Sequence, residues 1–256
     1  MTTGQVLLGV AAGLSAGFVD SIVGGGGLIQ LPAITVLLPR STATDIILGT
    51  NKAAAVSGTG IAAVTYRKWL ALGPKLLLPA VGMAMIASFL GARVSSVVPK
   101  SVFRPLVVVA LLGVLGLTLR RPDLGTRAAE KLPLTLRRKR LLMIAAIVGF
   151  YDGLIGPGTG TFFTIALVLF VRFDFLESTA VAKVLNVGTN LAALSWFAPH
   201  GSIRWALALP MAAANLTGGF LGARLALRKG SGFVRVFFLV VVSVLTFRVG
   251  YDIFQT

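Results

Sequence analysis

Two lysines, Lys52 and Lys183, stand inside segments that are apolar on both sides, and two aspartates, Asp20 and Asp152, stand just ahead of the densest glycine runs in the chain. A charged side chain in the middle of a membrane-spanning helix costs at least about 2.5–3.5 kcal/mol, so an intramembrane lysine is a functional candidate by default. The glycine runs are "GFVDSIVGGGG" from Gly17 and "GFYDGLIGPGTG" from Gly149. Glycine in a helix interior costs roughly 1 kcal/mol relative to alanine, so each run ends one helix and lets the next begin. A helix that starts there presents unpaired backbone N–H groups and the positive end of its dipole, which suit an anion.

The candidate anion-binding groups follow from this. Gly24, Gly25, Gly26 and Gly27 precede a helix start near Leu28, and Gly156, Gly158 and Gly160 precede one near Thr161. Thr159 and Thr161 add hydroxyl donors in the second run, and Asn51, Asn186 and Asn190 flank the lysines as candidate cavity-lining amides. Two lysines and two helix N-termini converging on one cavity would hold a small dianion, or a carboxylate or sulfonate head group. Asp20 and Asp152 fit either of two roles. Each can form a buried salt bridge with the lysine of its own half, or take part in proton coupling, because an anion that draws the lysine away changes the carboxylate's proton affinity.

The elements that must position these residues are membrane helices. The chain of 256 residues is 56% hydrophobic and 12% charged, with mean hydropathy +0.90, against about 25% charged in an ordinary soluble domain. Apolar stretches near the roughly 20 residues of a helical span recur at 4–22, 44–66, 74–93, 102–119, 178–198, 204–227 and 232–254, with a shorter one at 141–155. The net charge of +16 gathers at span ends and in one loop, as topology signals do, and excludes nucleic acid as the expected partner. The lipid bilayer and a small anion are the expected partners; a homodimer stays open.

The chain also repeats itself. Asp20 aligns with Asp152 and Gly24 with Gly156 at an offset of 132; at 131, Lys52 aligns with Lys183 and "FLGAR" at 89–93 with "FLGAR" at 220–224. The expected organisation is therefore a first repeat at 1–119, a basic cytoplasmic linker at 120–140 and a second repeat at 141–256. Each repeat is a helix, a glycine-broken re-entrant or short-helix hairpin (residues 28–38 and 161–171), and three further helices. Positive-inside bias favours an inverted second repeat with both termini outside. The fold class is all-α, polytopic, and the localisation a cytoplasmic membrane, multi-pass. Gly9, Gly13 and Gly17 recur every fourth residue, a spacing that predicts close helix packing.

Several chemistries lack the residues they need. No cysteine is present, His200 is the sole histidine and sits at a span end, and no set of His, Asp and Glu has metal-ligand spacing. "GPGTGT" at 156–161 resembles a phosphate-binding loop but has no following lysine. No nucleophile is paired with a base, so neither an enzyme nor a cofactor is expected.

The motifs "DSIVGGGGLIQLP", "GFYDGLIGPGTGTFF", "GTNK", "AKVLNVGTN" and the two "LGAR" helices, in duplicated order over nearly the whole chain, resemble the sulfite exporter TauE/SafE family of bacterial and archaeal membrane proteins. That resemblance implies transport of sulfite, sulfonates or related organic anions, mostly outward. With the repeat it points to a secondary transporter working by alternating access around a midplane site. A passive anion channel and a carboxylate transporter on the same scaffold are the alternatives. Pro157 and Thr159 break the plain glycine run, so the two half-sites are not expected to be equivalent.

Overall fold

The computed structural model describes residues 3–39, 41–70, 72–95 and 132–254. Eight α-helices and no strands occur among them: α1 (Thr3–Val23), α2 (Gly26–Leu37), α3 (Thr44–Tyr66), α4 (Pro74–Ser95), α5 (Leu134–Leu154), α6 (Thr159–Ala166), α7 (Phe175–Phe197) and α8 (Trp205–Phe254). A π-helical turn, Leu167–Val171, extends α6. Gly230, at φ 76°, divides α8 into arms at 205–229 and 231–254, matching the two spans expected there. The expected span at 102–119 and most of the linker lie outside the described residues. Helix α5 begins at Leu134 and so takes in the last seven residues of the stretch expected as linker. Pro133 starts it, because proline ahead of a helix sacrifices no intrahelical bond.

Beside an apolar core, polar and charged side chains are buried and large apolar ones face outward. Thr50, Lys52, Thr59, Asp152, Thr161, Lys183 and Thr189 are buried, while Leu7, Val36, Ile86, Ile147, Leu209 and Val240 are exposed on five different helices. Soluble monomers rarely expose contiguous apolar surface of this kind, and a hydrocarbon solvent accounts for it. Helices α1 and α4 are long and apolar enough to cross a membrane; α2, and α6 with its π turn, are apolar but short.

The repeats are interlocked. Under the sequence offset, α1 corresponds to α5, α2 to α6, α3 to α7 and α4 to the first arm of α8. Helix α1 packs on α8 and α5 on α4; α3 packs on α8 and α7 on α4; α3 and α7 pack on each other. Each of these interfaces joins one half to the other, and each has its counterpart. The glycine stripe serves this packing: a methyl group on Gly13 would lie 2.6 Å from the Met211 carbonyl oxygen, and one on Gly17 would overlap that of Asn215. Such close backbone approach is what small-residue stripes permit. Gly149, the repeat equivalent of Gly17, meets Ala84 in the same way.

Candidate functional site

Each first helix ends at a glycine in the left-handed region, Gly24 at φ 86° for α1 and Gly156 at φ 88° for α5. The Gly24 N–H donates to the Asp20 carbonyl (2.8 Å) and the Gly156 N–H to that of Tyr151 (3.3 Å), closing the helices with the capping bonds glycine allows. The two breaks then meet: the Gly24 backbone lies directly on that of Gly160, and Gly27 faces Pro157. The N-terminal ends of α2 and α6 and the C-terminal ends of α1 and α5 thus converge at one place.

The remaining carbonyls at the end of α1 are capped by hydroxyls from three other helices. Tyr66 donates to Ser21 O (2.9 Å), Thr179 to Ile22 O (3.4 Å) and Thr161 to Val23 O (3.1 Å). In the second break Tyr151 donates to Pro157 O (2.6 Å) and Thr159 to Gly156 O (2.7 Å). Backbone interrupted at membrane depth must find such partners. The hydroxyls of Thr159 and Thr161, expected as ligand donors, are therefore committed to backbone carbonyls.

The lysines and aspartates pair across the repeats. Lys52 Nζ is 2.7 Å from Asp152 Oδ2, and Lys183 Nζ is 2.8 Å from Asp20 Oδ2. This corrects the expected pairing within each half. Because α1 packs on the second half's α8 and α5 on the first half's α4, each aspartate is carried to the lysine of the opposite repeat. The side chains of Lys52, Lys183 and Asp152 are 3%, 0% and 2% exposed, and that of Asp20 is 13% exposed, so the two pairs are not equivalent. Thr59 Oγ1 lies 3.4 Å from Asp20 Oδ2 and closer, at 2.9 Å, to the Ala55 carbonyl that its hydroxyl also meets. The Lys52 ammonium also rests against Gly156, at the negative end of the α5 dipole.

A cavity of about 20 Å³ opens between these groups, where one water needs about 10–15 Å³ on the same kind of measure. Of the expected site residues, Gly24, Gly27, Asn51 and Lys52 line it from the first half, and Gly156, Thr159, Gly160, Asn186 and Asn190 from the second; both Asp20 and Asp152 face it. Gly25, Gly26, Gly158, Thr161 and Lys183 are not on its wall. Gly26 is instead pressed against Ala16 and Asp20, and Lys183 is sealed behind Asp20. Lining positions 52, 55 and 59 on α3 correspond under the repeat to 183, 186 and 190 on α7, where Ala55 and Thr59 are exchanged for Asn186 and Asn190.

Four residues that motif reasoning did not select belong to this site. Ala55 and Thr59 line the cavity. Behind it, Asn215 Nδ2 donates to Gln30 Oε1 (2.8 Å), and Gln30 Nε2 donates to the Asn51 carbonyl (3.1 Å), tying α2 to α3 and α8. The repeat equivalents of Gln30, Asn51 and Asn215 are Phe162, Ala182 and Ala84, so only the first half carries this amide relay. A lone uncharged amide in an apolar helix is the signal that marks Gln30 and Asn215. Asn215→Ala is expected to lower stability by about 1–3 kcal/mol, by orphaning the buried Gln30 carbonyl. Thermal unfolding in detergent reads this, and a melting temperature equal to that of the parent would remove the relay's structural role. Asn51 Oδ1 is buried with no hydrogen-bond partner among the described residues, which leaves an acceptor for a donor placed in the cavity.

A fold that is all-helical among the described residues, with large apolar side chains exposed and paired charges buried between its two halves, fits a membrane protein with an internal polar site. The chain belongs to the sulfite exporter TauE/SafE family, whose model it matches over residues 9–249. It is 34% identical over 240 residues to a protein from Sinorhizobium sp. described as "Probable membrane transporter protein ORF9", covering 91% of this chain and 87% of that one. It is 32% identical over 255 residues to the "Probable membrane transporter protein YfcA" of Escherichia coli K12, covering 96% and 91%. A "Probable membrane transporter protein" of Haemophilus influenzae is 30% identical over 246 residues, covering 94% and 92%. No solved structure matches the chain at a significant level.

Proposed function

We propose that the protein is a secondary transporter of small anions in a cytoplasmic membrane, with sulfite or an organosulfonate as the substrate class. The observation that carries this is the convergence of Lys52, the two glycine-lined breaks and the start of α6 on one buried cavity. Oxyanions suit such a place, because backbone N–H groups at helix starts and a lysine ammonium are both donors without acceptor character. The family and the names of the relatives point the same way.

The second repeat is inverted relative to the first, and alternating access arises as one half rocks against the other around the site. Support comes from the reciprocal packing of α1 on α8 and α5 on α4, and from basic residues that segregate better to one side in the inverted arrangement. A cavity with room for about one water favours this over a continuous anion channel.

A thermal-shift screen of the purified chain against sulfite, sulfate, methanesulfonate and acetate tests the assignment. The sulfur oxyanions are expected to raise the melting temperature with saturable concentration dependence. Stabilisation by acetate alone would move the substrate class to carboxylates, and no shift with any anion would overturn the site.

A further inference from the structure

Resting on that assignment, we infer that the site takes up one proton with each monoanion it binds, that Lys52 holds the anion, and that Asp152 receives the proton. The paired geometry leads there. Lys52 faces the cavity, whereas Lys183 is closed off behind Asp20, so Lys52 is the ammonium an incoming anion can reach. Its charge is already matched by Asp152 at 2.7 Å. The helix dipoles add no net cation, since the two helix starts at the breaks are balanced by the C-terminal ends of α1 and α5.

An anion bound to Lys52 therefore becomes the second negative group on one ammonium. Like charges forced into one poorly hydrated site cannot both stay ionised, and one of them takes a proton. The cavity holds too little water to hydrate a displaced carboxylate. A sulfonate is too weak a base to accept the proton, which leaves Asp152. The charged groups that share the cavity with this carboxylate are Lys52 on α3 and Asp20 on α1, with Lys183 of α7 paired to Asp20 behind it. Of the helices that flank α5, α6 carries no charged residue over 159–166, and the nearest on α4 is Arg93, exposed and one residue beyond the Ala92 that meets Gly153. The Tyr151 hydroxyl beside it is engaged with Pro157 O. The exchange balances: lysine cation and aspartate anion become lysine cation, bound anion and neutral carboxylic acid, with the proton drawn from water on the side to which the site is open. Net charge stays at zero, so movement of a monoanion with its proton is electroneutral and answers to the pH gradient rather than to the membrane potential.

Calorimetric titration of the full-length protein with methanesulfonate, at one pH in two buffers of different ionisation enthalpy, counts the protons taken up per anion. About one is expected, with affinity falling about tenfold per pH unit over the range in which one proton is taken up with the anion. Asp152→Asn is expected to bind methanesulfonate with no proton uptake and no such pH dependence. In proteoliposomes holding a pH dye, an inward methanesulfonate gradient is expected to acidify the lumen. Saturable binding by the parent with zero proton uptake would overturn the coupling and leave the anion site standing, and proton uptake retained in Asp152→Asn would overturn the assignment to Asp152. Absence of binding by methanesulfonate, sulfite and sulfate alike would overturn the transporter assignment, and the coupling with it. The proton count on the parent decides the matter even where the variant fails to fold.

Discussion

Lys52→Ala is expected to reduce anion flux in proteoliposomes to the protein-free background and to destabilise the fold by about 3–5 kcal/mol, because it strands a carboxylate that is 2% exposed. The two losses have different causes, and second-site changes separate them. Adding Asp152→Asn removes the stranded charge, so the double variant is expected to regain most of its thermal stability while flux stays at background. Adding Asp20→Asn instead should restore nothing, since Asp20 belongs to Lys183. The mirror set behaves correspondingly: Lys183→Ala is rescued in stability by Asp20→Asn and not by Asp152→Asn. Melting temperatures of these variants, read beside flux, test the cross-repeat pairing directly. Rescue of Lys52→Ala by Asp20→Asn would restore the pairing within halves, and normal flux through both Lys→Ala variants would end the case for an ammonium at the site.

The pairing shows where the sequence runs out. That two lysines and two aspartates would need buried partners was legible from their types, since each is a charge in apolar surroundings at equivalent places in a duplicated chain. Which aspartate meets which lysine depends on how α1 and α5 cross between the halves, and no spacing along the chain encodes that. The helix ends at Val23 and Leu154 were readable because glycine penalises helix interiors locally. The early start of α5 was not, because "LTLRRKR" at 134–140 reads as a charged loop by composition although each of its residues tolerates a helix. Thr161 misled for a related reason: a hydroxyl beside a glycine run advertises a donor, and only the fold shows that the open carbonyl of Val23 takes it.

The two capping glycines look alike in sequence and in dihedral angle, yet their substitution is expected to have different outcomes. Alanine at either must adopt the left-handed conformation, at a cost of about 1–2 kcal/mol. At Gly156 little else stands in the way: the new methyl would sit 3.4 Å from the Asp152 carbonyl oxygen and 3.5 Å from the Lys52 ammonium, ordinary contact distances. Gly156→Ala should therefore fold with modestly lowered stability, while the methyl covers the ammonium face turned toward the cavity. Methanesulfonate affinity is expected to fall at least tenfold. At Gly24 the methyl would be driven into the Gly160 backbone, where no rotamer change gives relief. Overpacking of this kind adds about 1–3 kcal/mol to the strain, and the two breaks must separate for the chain to accommodate it. Gly24→Ala is thus expected to lose the assembled site altogether, with poor recovery from membranes and no anion-dependent thermal shift. Circular dichroism and size-exclusion profiles of the two variants distinguish the cases. A well-folded Gly24→Ala that still binds methanesulfonate would show that contact between the two breaks is dispensable, and the site would then have to be built from the lysine pairs alone.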